Sequence, residues 1–156
     1  MIKKLFIFIA VTGALFGAKM EIPKDATCLI RHIKIYQAPE WATTIQVRSG
    51  EIIYFSSPKS MFEFYFEPSR WPEYQVKHKD DMRINVTDYE TLEKIPARDA
   101  YYVYGSKKTS PSGDDLPAFS SKEKAEKFAQ KYDGRRVLDF SQVSNGLINL
   151  LNNRLR

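Results

Sequence analysis

One thiol and two imidazoles, on Cys28, His32 and His78, are the side chains of this sequence best suited to nucleophilic or metal chemistry. Cys28 and His32 lie four residues apart, close enough to converge on a turn or a helix. Thiolate, imidazole and thioether groups are the ligands that Cu(I) prefers. The spacing therefore predicts a Cu(I) site at Cys28 and His32, to which Met20 adds a thioether near the start of the mature chain.

The remaining soft ligands have structural interpretations. Met61 is flanked by aromatic residues at helical spacing, which predicts core packing. His78 and Met82 stand in the charged stretch 77–82, which we interpret as a solvated connection. Cys28 itself has the alternative interpretation of a small buried residue, because free cysteine is among the most buried residue types.

Most catalytic chemistries lack their residues in this sequence. A single Cys can form no disulfide within the chain, and it offers no cysteine pair for cleavage of a metal–carbon bond. No serine has a nucleophile-elbow context, and no phosphate loop, dinucleotide fingerprint or zinc pattern occurs. We therefore predict that the protein is not an enzyme.

The first 18 residues have the pattern of a secretory signal peptide. Lys3 and Lys4 precede an apolar run over residues 5–16, and Gly17-Ala18 supplies small residues for cleavage. The run is shorter than the roughly 20 residues that a membrane-spanning helix needs. Lys19 stands where a lipoprotein would have its cysteine. We expect a periplasmic protein, not a lipoprotein, that meets a membrane only if the signal peptide is retained.

The charge of the mature chain argues against a nucleic-acid partner. Removal of Lys3 and Lys4 with the signal peptide lowers the formal net charge from +5 to +3. The basic residues are scattered along the chain, whereas nucleic-acid surfaces concentrate them on one face.

The first half of the mature chain predicts two strands followed by a helix. Residues 42–48 and 51–55 are rich in β-branched and aromatic side chains, and Ser49-Gly50 supplies the turn between them. Ser57-Pro58 is a helix start signal, and the residue before Pro68 is pushed out of helical geometry.

The second half predicts the same order of elements. Residues 100–105 and 116–119 read as strands on either side of a polar loop. A helix follows to Tyr132, and Ser120 with Glu123 fits a capping box at its start. The triplet at Phe119 repeats the Phe-Ser-Ser triplet at Phe55.

The predicted fold is therefore of the α+β class, with two related β-β-α units packed together. The units cover about residues 28–70 and 83–143, inside one domain over residues 19–143. The segments 83–89 and 135–140 are expected to add strands. Residues 144–156 have leucine and isoleucine at helical spacing, which predicts an amphipathic end helix on the core.

Several motifs resemble the nitrous oxide reductase accessory protein family of the NosL type. They run in unbroken order over about residues 28–143: Tyr36-Gln-Ala-Pro-Glu-Trp41, Ser60-Met-Phe-Glu-Phe-Tyr-Phe66, Val86-Thr-Asp-Tyr89, Ala97-Arg-Asp-Ala-Tyr-Tyr-Val-Tyr-Gly-Ser106 and Leu116-Pro-Ala-Phe119. The resemblance implies a two-fold arrangement of β-β-α units, similar to one domain of organomercurial lyase. It also implies a periplasmic, usually lipid-anchored protein that delivers Cu(I) to nitrous oxide reductase with its membrane maturation machinery.

The copper ligands that the resemblance implies are substituted in this chain. The family has Cys-Pro-x-Cys-Gly-Met where this chain has Cys28-Leu-Ile-Arg-His-Ile33, so Arg31 falls on the ligand Cys and Ile33 on the ligand Met. Ser112 replaces the Met of the family's Gly-Pro-Met-Gly loop. A guanidinium cannot bind Cu(I), and aliphatic or hydroxyl groups bind it poorly.

Two functions follow as hypotheses. The first is a Cu(I) chaperone for nitrous oxide reductase maturation with a rebuilt site at Cys28 and His32. The second is a periplasmic binding or interaction module without a metal. Its surface would be a cleft near Trp41, Arg31 and the 106–115 loop, where Lys34, Lys107 and Lys108 would receive an anion or an acidic partner.

Overall fold

A computed structural model describes residues 17–153. Most of the predicted signal peptide, residues 1–16, and the last three residues of the predicted end helix lie outside the described residues. No helix within residues 17–153 is both long and apolar enough to cross a membrane.

The first unit is built on a four-stranded antiparallel sheet. Its strands are β1 (Thr43–Gln46), β2 (Ile52–Phe55), β3 (Arg83–Thr87) and β4 (Lys94–Pro96), in the order β2-β1-β3-β4. The predicted hairpin is confirmed, because Gln46 pairs with Ile52 and Gly50 adopts a φ of 92° in the turn between them. Gly50 tolerates this angle because it has no Cβ atom. The strand β4 carries no alternating pattern and was not predicted from the sequence.

Helix α1 (Pro58–Phe66) follows β2 as predicted. The Ser57 side chain accepts a hydrogen bond from the Ser60 amide, which satisfies one of the free donors of the first turn. Met61, Phe62 and Phe64 are all fully buried, although they lie on different faces of the helix. The helix can bury several faces because it is covered on one side by β1 and β2 and on another by the C-terminal helix.

The second unit has a three-stranded sheet and a short hairpin. The sheet contains β5 (Tyr101–Tyr104), β8 (Ala118–Phe119) and β9 (Arg136–Asp139), in the order β8-β5-β9, and the hairpin pairs β6 (Thr109–Ser110) with β7 (Gly113–Asp114). Helix α2 (Lys122–Lys131) packs on this sheet through Ala125 and Phe128.

The predicted capping box of α2 at Ser120 and Glu123 is wrong by one residue. Ser121 is the N-cap, and its side chain accepts a hydrogen bond from the Lys124 amide. The Ser120 amide instead donates to Asp88 at 2.8 Å. The tertiary contact with Asp88 therefore decides which of the two adjacent serines caps the helix.

Helix α3 (Asn145–Asn153) lies antiparallel to α1. Asn145 near its start bonds to Glu67, and Asn152 near its end bonds to Glu63. Ile148 and Leu151 are buried beneath it in the main core, as the amphipathic pattern predicted. The α+β class is confirmed. The described residues form three α-helices and two main sheets.

Candidate functional site

The segment 28–33 forms a tight turn that is closed by backbone hydrogen bonds. The Cys28 amide donates to the Ile33 carbonyl at 2.9 Å, and the His32 amide donates to the Cys28 carbonyl at 2.9 Å. His32 occupies the left-handed region with a φ of 57°. The Cys28 sulfur accepts a hydrogen bond from the Arg31 amide at 3.4 Å. The turn thus directs a backbone donor toward the only thiol of the chain.

Cys28 and His32 lie in different environments within this turn. Cys28 is 1% exposed and belongs to the main core, whereas His32 is exposed at its left-handed position. Within residues 17–153, no three His, Cys, Asp or Glu side chains are grouped so as to hold a metal ion. The Cys28–His32 site stays a prediction, with one residue of the pair inside the core and the other on the surface.

The backbone of Met20 is anchored far from that turn. Its amide donates to the Leu92 carbonyl, beside the edge strand β4. The Cys28 turn is anchored at the other edge of the same sheet, where the Leu29 amide donates to the Tyr54 carbonyl in β2. Three strand spacings of roughly 4.8 Å separate these edges. The Met20 backbone is therefore anchored at one edge of the sheet and the Cys28 turn at the other, although Met20 lines a cavity that also contains Tyr54.

Arg31 connects the turn to two helices. Its Nη2 atom donates to Glu63 Oε2 of α1 at 2.9 Å and to Asn152 Oδ1 of α3 at 2.7 Å. Asn152 Nδ2 also donates to Glu63 Oε2, at 3.1 Å. We refer to Arg31, Glu63 and Asn152 as the Arg31 cluster. Each pair within it is joined by a hydrogen bond, so the cluster fixes the turn against both helices.

The charge of Glu63 is shared with a second guanidinium. Arg70 Nη1 donates to Glu63 Oε1 at 3.1 Å and to Glu67 Oε2 at 3.3 Å. The Glu63 side chain is 13% exposed, so its carboxylate is shielded from water and its hydrogen bonds with charged donors are strengthened. Arg31 Nε is buried and has no partner among the described residues. The position of the implied ligand cysteine thus holds a fixed positive charge.

Ser112 lies in the turn of the β6–β7 hairpin and is also buried. Its hydroxyl lies 3.1 Å from the Ser56 hydroxyl, and its amide donates to Ser110 Oγ at 2.9 Å. Lys59 Nζ donates to the Ser112 carbonyl at 2.6 Å. A buried cation from α1 therefore lies where the family resemblance implies a methionine ligand loop.

Lys59 and Asp115 are two buried charged residues that meet at the start of α1. Lys59 is 0% exposed, and desolvation lowers the pKa of its ammonium despite the attraction of Asp115. Asp115 is 3% exposed, and desolvation raises the pKa of its carboxyl although Ser57, Lys59, Leu116 and Ser110 oppose that shift. Its carboxylate accepts the Lys59 amide at 2.8 Å and so caps α1 from the second unit.

A second carboxylate makes the reciprocal connection between the units. Asp88, at the end of β3, is fully buried and accepts Ser120 N at 2.8 Å and Lys124 Nζ at 3.3 Å at the start of α2. Burial raises the pKa of Asp88, but hydrogen bonds from Ser120, Thr91 and Glu90 outweigh it and leave the pKa below its usual value. Asp88 thus joins the first sheet to α2, as Asp115 joins the second unit to α1.

The residues predicted to line an anion-binding cleft have other partners in the structure. Trp41 is 3% exposed and packs edge-on against Tyr89, with 5.1 Å between ring centroids. Lys34 Nζ donates to the Asp25 carbonyl, and Lys107 pairs with Asp133, which raises the pKa of Lys107. The Lys108 ammonium lies 4.7 Å from the centre of the Tyr132 ring. Each of these cations therefore has a partner of its own, and the anion-binding cleft stays a prediction.

Two other assignments are settled by burial. Met61 is fully buried, which confirms its predicted place in the core. Met82 is 5% exposed, so the prediction that it lies in a solvated connection is wrong, although His78 beside it is exposed. Met82 forms part of the wall of an open cleft of about 650 Å³ that also contains Arg48, Asp81 and Arg98.

Lys59, Asp115, Asp88 and Glu63 were not predicted as site residues. Each is a charged residue in or beside a predicted helix or strand, where solvent exposure is the ordinary expectation. The one signal for Lys59 was its place in a helix whose apolar residues cover more than one face, which leaves little surface for a charged side chain.

Comparisons with known proteins identify the family and agree with the overall fold. The sequence model of the family described as NosL matches residues 19–148. Among solved structures, the copper chaperone NosL from Shewanella denitrificans superposes with a TM-score of 0.69 and 21% sequence identity, covering 81% of this chain and 96% of that one. No curated protein matches the chain at a significant level.

Proposed function

Because this chain belongs to the NosL family, we propose that it is an exported accessory protein of nitrous oxide reductase maturation in which the Arg31 cluster replaces the copper site. It acts by binding a protein of that machinery and catalyses no reaction. The signal peptide pattern of residues 1–18 supports a periplasmic location.

The geometry of Arg31 carries this proposal. A guanidinium has five N–H donors and no acceptor, and it stays protonated in proteins, so it offers no lone pair to a metal ion. Here it is also bonded to Glu63 and Asn152 at 2.9 and 2.7 Å. A cation arriving at the Arg31 side chain would meet a fixed positive charge, and the nearby soft ligand, the Cys28 sulfur, is buried and accepts a hydrogen bond from the Arg31 amide.

The second implied ligand position supports the same conclusion. The Ser112 carbonyl binds the Lys59 ammonium, so another positive charge is fixed at the β6–β7 turn. The Ser112 side chain is a hydroxyl, a ligand that Cu(I) binds poorly. Of the three positions that the resemblance assigns to copper ligands, Arg31 is itself a cation, the Ser112 carbonyl binds the Lys59 ammonium, and Ile33 is aliphatic.

A Cu(I) competition titration tests the absence of the copper site. The mature chain, from Lys19 onward, is titrated anaerobically with Cu(I) against a chromophoric Cu(I) chelator, beside the variant Cys28→Ser. We expect both proteins to leave the chelator fully loaded. Uptake of one equivalent by the unmodified chain, lost in Cys28→Ser, would overturn this part of the proposal.

Handling of Cu(I) at Cys28 and His32 is the second candidate function. The observation that favours it is the hydrogen bond from the His32 amide to the Cys28 carbonyl, which holds a thiol and an imidazole within one turn. In that case the titration would show binding that weakens in His32→Ala as well as in Cys28→Ser. Variant His78→Ala is the matched control, since His78 is exposed and lies outside the turn.

The role in maturation is tested in cells. We expect deletion of the gene to reduce the copper content and activity of nitrous oxide reductase purified from the periplasm. A gene that encodes Cys28→Ser should restore both, because the proposed role is protein binding rather than metal transfer. Fully loaded reductase in the deletion strain would exclude the proposed client, and failure of Cys28→Ser alone would favour the copper function.

A further inference from the structure

The last turn of α3 contacts the Cys28 turn. The family match ends at Ile148, and α3 continues through residues 149–153, which we call the terminal turn. Asn152 of the terminal turn accepts a hydrogen bond from Arg31, the residue on the implied ligand cysteine position. The terminal turn and the Cys28 turn thus share a polar contact.

The terminal turn is held by an apolar and a polar anchor. Leu151 is 1% exposed and packs in the main core, while Asn152 is joined to both Arg31 and Glu63. Asn149 and Asn153 of the same turn are exposed. Asn152 is therefore the residue of the terminal turn whose side chain bonds the Cys28 turn to the rest of the protein.

We propose that the terminal turn is a latch over the Cys28 turn, held shut by Asn152, and that its release exposes the Cys28 thiol. Arg31 contacts the Cys28 sulfur directly, because the Arg31 amide donates a hydrogen bond to that sulfur. When Asn152 is bonded to the Arg31 side chain, the turn stays against α1 and α3 and Cys28 remains 1% exposed.

The opening that this latch controls is local. The Cys28 turn is a short surface segment. Three of its residues, Leu29, Ile30 and Ile33, are only half-buried. Segments with few buried contacts open at lower free energy than the whole fold. Loss of one hydrogen bond to a charged group is enough to raise the population of such an open state about tenfold or more.

Alkylation of the thiol by N-ethylmaleimide measures this opening, because the chain has a single Cys. The mature protein and the variants Asn152→Ala and Asn149→Ala are labelled at neutral pH without denaturant and followed by mass spectrometry. We expect Asn152→Ala to react at least tenfold faster than the unmodified chain. Asn149→Ala, altered at an exposed position of the same turn, should react at the unmodified rate.

A remote variant separates local from global opening. Ser121→Ala removes the N-cap of α2, in the second unit, and lowers the overall stability without touching the latch. If Asn152→Ala reacts no faster than the unmodified chain, or no faster than Ser121→Ala at equal loss of thermal stability, the latch is overturned. The readout uses no copper and no partner, so this failure is distinct from failure of the proposed function.

Discussion

Arg31 and Glu63 form the ion pair that ties the Cys28 turn to α1, with 2.9 Å between Nη2 and Oε2. The two side chains are 25% and 13% exposed, so the pair lies at the boundary between core and solvent. The family resemblance implies a ligand cysteine at the position of Arg31. The ion pair therefore gives this position a structural contact between the Cys28 turn and α1.

Removal of the Arg31 side chain should destabilise the protein. In Arg31→Met, Glu63 keeps Arg70 as a partner but loses its shorter hydrogen bond, and Asn152 loses its donor. We expect a loss of about 1–3 kcal/mol in the free energy of unfolding, the range for hydrogen bonds to charged groups. Urea denaturation followed by circular dichroism measures it.

Arg48→Met is the matched control for that experiment. Arg48 lies 3.8 Å from Asp81 and is 84% exposed, so its loss should change stability by less than about 0.5 kcal/mol. Equal effects of the two substitutions would show that Arg31 contributes no more than a surface charge does.

Lys59→Met should destabilise the protein, because it leaves the buried Asp115 carboxylate without a compensating charge. Methionine keeps most of the volume of Lys59 but leaves the Ser112 carbonyl without its donor and Asp115 without a nearby cation. We expect destabilisation of about 2 kcal/mol near neutral pH, which is partly relieved in the double variant Lys59→Met with Asp115→Asn. Thermal unfolding of the two single variants and the double variant gives the coupling energy.

The loss of stability caused by Lys59→Met should become smaller as the pH falls. The pKa of Asp115 is raised in the folded protein, mainly by desolvation, and removal of Lys59 raises it further. The folded state then takes up a proton before the unfolded state does, so acidification favours folding. The penalty should shrink as pH falls from 7 toward about 4, the ordinary range of an aspartate pKa. A penalty that grows on acidification would contradict this electrostatic account.

Asp88 should have the opposite dependence on pH. Its pKa is lowered in the folded state, so its contribution to stability is present above the unfolded value of about 3.9 and is lost as pH falls through the folded value. We expect Asp88→Asn to be destabilised by several kcal/mol near pH 7, because a buried charge network with Ser120 and Lys124 is broken. The gap to the unmodified protein should narrow below about pH 4 in urea titrations.

If the free energies of unfolding of Asp88→Asn and the unmodified protein still differ widely at pH 2, the effect of the substitution comes from packing rather than from charge. The substitution Asp99→Asn, at an exposed residue between β4 and β5, serves as the control and should leave stability unchanged.

Gly134 and Gly146 should respond in opposite directions to alanine. A Cβ atom on Gly134 would lie 2.6 Å from Val103 Cγ1 and 2.9 Å from Ala129 Cα, so Gly134→Ala must displace backbone and should cost about 1–3 kcal/mol. Gly146 lies within α3 with open space around it, and Gly146→Ala should stabilise by up to about 1 kcal/mol. Differential scanning calorimetry distinguishes the two signs.

The regular elements of this fold are those that local sequence signals encode. The turn at Gly50 and the cap at Ser57 each depend on neighbours within a few residues, and both predictions were confirmed. The cap of α2 was placed one residue too early, because the competing contact of Ser120 comes from Asp88, 32 residues away.

The polar contacts around the candidate site depend on tertiary structure. Nothing in the local sequence of Arg31 indicates that Asn152, 121 residues later, supplies its acceptor. The burial of Lys59 likewise depends on the β6–β7 hairpin, which folds over the start of α1 from the second unit. Motif comparison could identify Arg31 and Ser112 as positions of interest, but only the assembled fold identifies the groups that these residues contact.

Introduction of the implied family ligands shows whether Arg31, Ile33 and Ser112 are what keeps Cu(I) off this scaffold. The triple variant Arg31→Cys, Ile33→Met and Ser112→Met places the implied family ligands on this scaffold, and its Cu(I) affinity is measured by chelator competition beside the unmodified chain. Circular dichroism confirms that both proteins are folded. We expect the triple variant to bind one equivalent of Cu(I) at least a hundredfold more tightly than the unmodified chain. Equal affinity of the two folded proteins would contradict it, because the three positions would then not determine whether this scaffold holds copper.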